Sequence, residues 1–352
     1  MLIMDRANDT LLYAGSAKAR ITDWFFFKDH ITLHYVGLDD AVVNMKRSDS
    51  TWNYKFLLDY FASPTSNRKD TSGGIAFDFK EAHFKNIRFN RIDGWIGQNM
   101  VGSMKKMDLF VDSADLTKQK IYLKELNFDE PHFALSDYTG NKPKQNVVTD
   151  TGRSAVNITA PKAEEDGWTV QIKKVLLNDG RFKSDQETER LPYTDRFDGQ
   201  HLFISSIDGT INDVLLKNDT LTASIRLAAK ERSGFMIKDI TSSVKFTSEM
   251  MEFKDLDLKT NKSHLKNYYA MRYENFNDDM KGFLHNVRLE GRFTDSELSS
   301  DDLAFFAPAL SSWKRTFYFN GNAHGTIDNL SAKDMKITNT ECCLISKKCQ
   351  GS

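Results

Sequence analysis

The sequence predicts a mainly β protein: an elongated, twisted antiparallel sheet of repeated bent strands with two short amphipathic helices. Three observations predict it. Short runs alternate apolar and polar residues, the period-two signature of half-buried strands. The alternation slips at recurring places, which requires the strands to bend. The chain also holds 25 Phe against 6 Pro and 19 Gly, a balance that suits aromatic-rich strands and not a disordered polar chain.

The slips share a template. From Ile75 the apolar set continues through Phe77, Phe79, Ala82, Phe84, Ile87 and Phe89, at offsets 0, 2, 4, 7, 9, 12 and 14. Trp168, Val170, Ile172, Val175, Leu177, Gly180 and Phe182 fit the same offsets. Ile31, Leu33, Tyr35, Leu38, Val43 and Met45 fit with Asp40 as the one break, and Ile121, Leu123, Leu126, Phe128, Pro131 and Phe133 fit from a polar start at Gln119. The starts at 31, 75 and 119 are 44 residues apart, and the next follows 49 further on. Each step of three inverts the inward face and calls for a bulge or tight turn; Gly37, Asn86 and Asn178-Asp179-Gly180 lie near those steps. Each unit reads as a bent strand followed by returning hairpin strands, in an array whose units bury themselves against their neighbours.

The elements follow in order. Residues 1–138 form a repeat-containing β segment with a short helix near 51–62, capped by Ser50, with Trp52, Phe56, Leu57, Tyr60 and Phe61 on one broad face. Ser63-Pro64 ends that helix. Residues 139–167, poor in large apolar side chains, read as a polar loop or linker. Residues 168–336 return to strand patterning, with a second helix near 300–310 that Ser300 caps and Pro308 limits. The tail, 337–352, loses alternation and holds all three cysteines, Cys342, Cys343 and Cys349. A frameshift, truncation or appended segment accounts for it better than a metal site, because adjacent cysteines chelate poorly. A body free of cysteine suits an oxidising compartment.

Composition excludes several functions. A net charge of -1 offers no basic surface for nucleic acid. No apolar run approaches the ~20 residues of a membrane-spanning helix, and no signal peptide is evident. No phosphate-binding loop, dinucleotide fingerprint, nucleophile elbow or zinc-protease motif occurs. His30 and His34 lie ~13 Å apart on a strand, too far for one metal ion, and read as solvated strand histidines. Asp278-Asp279 and Asp301-Asp302 lack the spacing of a calcium loop. Asp93-Gly94, Asp179-Gly180, Asp198-Gly199 and Asp208-Gly209 read as hairpin turns. No catalysis and no cofactor or metal is expected.

Several stretches carry a resemblance. Asp9-Thr10-Leu11-Leu12-Tyr13-Ala14-Gly15, Ile21-Thr22-Asp23-Trp24-Phe25, Asp49-Ser50-Thr51-Trp52-Asn53-Tyr54-Lys55-Phe56 and Asp93-Gly94-Trp95-Ile96-Gly97 fall in the first segment. Leu298-Ser299-Ser300-Asp301-Asp302-Leu303-Ala304-Phe305-Phe306-Ala307-Pro308 falls late. Together, across most of residues 1–336, they resemble TamB-type translocation and assembly proteins of the AsmA-like group.

The resemblance implies a taco-shaped, groove-like β-sheet with an apolar inside, in a protein anchored in the inner membrane and extending through the periplasm of a Gram-negative envelope. It implies phospholipid acyl chains as cargo and an outer-membrane barrel as partner, or a role in outer-membrane protein assembly. On that pattern the chain is expected to be a fragment without the membrane anchor. The expected groove lining is Ile31, Leu33, Tyr35, Ile75, Phe77, Phe79, Phe84, Ile121, Leu123, Trp168, Val170, Ile172, Val175 and Leu177. Two other readings stay open: a chaperone or scaffold that binds outer-membrane strands by β-augmentation, and a glycan-binding solenoid using Tyr13, Tyr122 and Tyr138.

Overall fold

The computed structural model describes residues 1–21, 30–62, 76–115, 119–143, 167–190, 192, 195–339 and 343–350. Alternation becomes long strands that pair in chain order. β1 (Leu2–Met4) pairs with β2 (Thr10–Ile21), and β2 pairs antiparallel with β3 (His30–Arg47). β3 lies parallel to β4 (Ala76–Asp93), which turns through residues 94–97 into antiparallel β5 (Gln98–Asp115). β6 (Lys120–Asp129) and β7 (His132–Asp137) lie end to end along β5, and both pair parallel with β8 (Thr169–Gln186) on their other side.

From β8 onward each strand pairs antiparallel with the next. The series is β9 (His201–Lys217), β10 (Thr220–Glu231), β11 (Met236–Phe246), β12 (Met250–Thr260) and β13 (His264–Arg272). It continues with β14 (Arg288–Ser299), β15 (Thr316–Thr326), β16 (Asn329–Asn339) and β17 (Cys343–Gln350). All 17 strands belong to one sheet.

At ~4.8 Å per strand the ladder extends for about 70 Å in the hydrogen-bonding direction. The chain exposes 23857 Å², where a compact monomer of its mass would expose about 14,500 Å². The elongated, mainly β repeat architecture read from the sequence is therefore present. One position of the ladder is divided: β6 and β7, end to end, each pair with β5 on one side and with β8 on the other.

Two expectations about connections change. The units are not all joined by returning hairpins: β3 with β4, and β7 with β8, pair parallel, which a two-residue hairpin cannot join. Of the polar stretch 139–167, residues 144–166 lie outside the described residues. The tail also pairs despite its lost alternation, with Ala332 opposite Cys349 and Thr338 opposite Cys343.

The repeat spacing between β3 and β4 is 46 and not 44, since Ile31 pairs with Phe77 and Val43 with Phe89. That shift of two residues resolves the break at Asp40, which now lies opposite Asn86 at the slip itself. Asp40, Asn86, Glu130 and Asp179 all hold positive φ, at 53°, 53°, 49° and 46°. In register they form one line across β3, β4, the β6–β7 junction and β8. A left-handed residue interrupts alternation and bends the strand, and Asp and Asn tolerate that conformation better than most residues.

The line is a crease bound by polar side chains. The Asn86 amide donates to the Asp40 carboxylate (2.7 Å), Lys105 to Glu130 (2.6 Å) and Asn178 to Asp129 (2.6 Å). Asp179-Gly180 and Asp208-Gly209 are thus parts of bent strands and not hairpin turns, whereas Asp93-Gly94 does turn between β4 and β5. Further left-handed residues recur at Asp213, Asp255, Asn267, Asp295, Gly321 and Asp334, beside the register shifts of β9 through β16.

The helices differ in detail. α1 is Lys55–Ala62, so Trp52 precedes it. α2 (Phe276–Lys281) and α3 (Phe283–Asn286) were not anticipated. α4 is only Ser300–Leu303, capped by Ser299 and not Ser300, with a tight 3₁₀ turn at Pro308–Ser312. The Ser300 hydroxyl accepts instead from the Arg315 amide (2.9 Å).

Candidate ligand-binding face

Strand register aligns apolar side chains into rows that run across the strands. One row reads Leu38, Phe84, Met107, Phe128 and Leu177, then Gly209, Leu227, Ile240, Leu258 and Leu265. A second reads Ile121, Val170, Leu216, Leu221, Phe246, Met251, Met271 and Leu289. Between them lie Leu123 with Ile172, and Leu126 with Val175 and Ile211. Only small or flanking members are buried, such as Ala82, Leu123 and Val175, while Phe84, Phe128 and Leu177 are half-buried. Among the described residues the strands form a single sheet, and no second layer is packed on its apolar face.

The expected lining residues divide accordingly. Phe84, Ile121, Leu123, Val170, Ile172, Val175 and Leu177 lie in these rows. Ile31 pairs with Phe77 and Leu33 with Phe79 on the same registers, although their side chains are outside the described ones. Ile75 lies outside the described residues. Trp168 precedes β8 and is 44% exposed.

Tyr35 belongs to the opposite, polar face. Its ring stacks on His83 (5.3 Å between centroids, 28° between planes) and lies over Gly37, where an added Cβ would meet the Tyr35 hydroxyl at 2.7 Å. His83 in turn contacts the Asp108 carboxylate (2.5 Å). Tyr35 falls at a slip of the template, where alternation no longer assigns a face.

Aromatic rings follow one another on the apolar face over β11 to β13. Phe246, Phe253 and Tyr269 succeed one another at 5.6 and 6.3 Å between centroids. Burial pushes the Tyr269 hydroxyl up to about 12.

At the strand ends the chemistry is ionic. Asp93 is fully buried, accepting two hydrogen bonds from Arg47 (2.7 and 2.8 Å), one from Arg91 (2.8 Å) and one from the Ile96 amide (3.2 Å). The Arg47 guanidinium holds the Asp93 carboxyl below the usual carboxylate range, against the opposing effect of burial. Both guanidinium groups also lie over the Trp52 ring, Arg47 at 4.6 Å and Arg91 at 5.2 Å from its centroid. A cleft of about 580 Å³ opens beside it, lined by Arg6, Lys46, Lys55 and Phe56 among others.

A second polar corner surrounds buried Asp302, which accepts from Thr260 and Ser263 hydroxyls and the Lys262 amide (3.0 Å). Phe197, Phe235, Phe305 and Phe306 pack beside it with centroids 5.0 to 5.8 Å apart. Sequence reasoning missed the roles of Arg47, Asp93 and Asp302; the signal was the Asp residues inside the stretches that carried the resemblance.

Among the described residues, no three His, Cys, Asp or Glu side chains form a group able to hold a metal ion, and no helix is long and apolar enough to cross a membrane. No family model matches the chain, and neither a curated protein nor a solved structure matches it.

Proposed function

We propose that this chain shields phospholipid acyl chains along its apolar face, as a segment of a TamB-type, periplasm-spanning envelope protein with an inner-membrane anchor and an outer-membrane barrel partner. The observation that carries the reading is the row Leu38–Phe84–Met107–Phe128–Leu177, apolar across consecutive strands yet half-buried. Each acyl methylene withdrawn from water onto such a surface gains roughly 0.8 kcal/mol. Contacts that repeat from strand to strand without convergent polar groups suit movement more than tight, specific binding. The stretches Asp93-Gly94-Trp95-Ile96-Gly97 and Leu298 to Pro308 support the family and its address.

Lipid extraction and mass spectrometry of the purified chain test the proposal. Phospholipid should be recovered from the parent protein, and much less from a Phe128→Asp, Leu177→Asp double variant that keeps its β circular dichroism. Absence of phospholipid from the parent, or equal recovery from the folded variant, would overturn it.

A further inference from the structure

On the face opposite the apolar rows, the register brings Arg88 (β4), Ser103 (β5), His132 (β7) and Arg181 (β8) into one line, each opposite the next. Lys183 lies two residues beyond Arg181 on the same side of β8. Successive strands are ~4.8 Å apart, so the long basic side chains at the two ends can converge over the hydroxyl and imidazole between them.

Three further observations single this line out. The His132 Nε2 atom is buried and has no hydrogen-bond partner. Neither the Ser103 hydroxyl nor the Arg88 guanidinium has a partner among the described residues. The charges that act on the imidazole are all positive: after burial, Arg181, Lys183 and Arg88 each push its pKa down.

The nearby carboxylates are already engaged. Asp179 holds Arg181 (2.9 Å), Asp185 takes Lys183 (2.5 Å), Arg190 (3.0 Å) and His201 (3.3 Å), and Asp129 and Glu130 hold Lys105. A buried ring nitrogen without a partner, beside a free hydroxyl and a free guanidinium in a positive field, is unfavourable for the protein alone and favourable once an oxyanion arrives.

We propose that Arg88, Ser103, His132 and Arg181 form a cradle for a phosphate-type oxyanion, either free phosphate or the phosphodiester of a lipid headgroup. Arg88 supplies the uncompensated charge, the Ser103 hydroxyl donates to the anion, and the imidazole becomes a second donor on protonation. Because the cradle is on the polar face, it does not depend on acyl-chain shielding along the other.

NMR of the His132 imidazole in the whole chain, titrated with inorganic phosphate against sodium chloride of equal ionic strength, tests it. Phosphate should shift the resonance saturably and raise the imidazole pKa, because a bound anion favours the imidazolium. Arg88→Met, at an exposed position, should weaken that binding about tenfold, the loss of one charge-assisted contact. Ser103→Ala should weaken it by a smaller factor.

Vesicles then distinguish the source. If phosphatidylglycerol vesicles co-sediment with the protein, and phosphate or Arg88→Met reduces this, the anion is a headgroup. Saturable phosphate binding without vesicle binding assigns a soluble phosphate. An imidazole that does not respond to phosphate, responds equally to chloride, or responds unchanged in folded Arg88→Met would overturn the cradle.

Discussion

The Asn86 amide donates to the Asp40 carboxylate across β4 and β3 at 2.7 Å, and both residues hold a φ of 53°. Two adjacent strands therefore leave the extended region at the same row and tie that departure with a side-chain bond. Glu130 and Asp179 continue the line, so the bend belongs to the sheet and not to any one strand.

If the left-handed backbone is what Asn86 supplies, a branched side chain there will be costly. Asn86→Val should destabilise the fold by about 1–2 kcal/mol, with Asn86→Gly milder. Urea denaturation of both variants checks this; a glycine variant as unstable as the valine one would assign the effect to the hydrogen bond instead.

Gly209 is a sharper case. Its φ is 142°, and an added Cβ would lie 2.1 Å from the Arg226 carbonyl oxygen on the facing strand. Gly209→Ala should cost more than about 2 kcal/mol. Gly199→Ala, whose nearest neighbour would be the Phe197 ring at 3.5 Å, should be close to neutral in the same denaturation series.

A single apolar layer lowers the cost of truncation. Phe84→Ala and Phe128→Ala should each lose about 1–2 kcal/mol, where a closed core would lose 3–5. Losses at the upper end in the purified, lipid-free chain would mean that this face is covered.

Acid should weaken the end of the sheet held by Asp93. Its carboxyl is held low chiefly by the Arg47 hydrogen bonds, so its stabilisation is complete above the ordinary carboxylate pKa of 3.8. That stabilisation is lost as pH falls from there through the depressed folded value. Asp93→Asn should flatten this part of the stability profile between neutral and acid pH. It should also lower stability at neutral pH, more than Lys18→Met does at the exposed pair with Asp39.

Base should act at Tyr269. A phenol raised by burial from 10.0 to about 12 favours the fold while neutral, and that contribution declines as pH rises above 10 through the folded value. Burial also raises Tyr268 and Tyr273, so in an ultraviolet titration of the 11 tyrosines Tyr269→Phe should remove one of several late-ionising components.

The sequence by itself determined that the chain is an extended array of bent strands. Alternation and its slips are local properties: each is decided by which side chains lie two or three residues apart, and the +11 position of the template marks Asn86, Glu130 and Asp179 without reference to any partner strand. What the tertiary structure decided is register. β3 and β4 are parallel, and nothing local fixes whether Ile31 faces Ile75 or Phe77; between slips a shift of two preserves every inward face, and only the break at Asp40 marked the difference. The same limit hid Tyr35, whose face is undefined at a slip, and the ionic set Arg47, Arg91 and Asp93. It also hid the row Arg88, Ser103, His132 and Arg181, because residues far apart in sequence become neighbours only when strands pair.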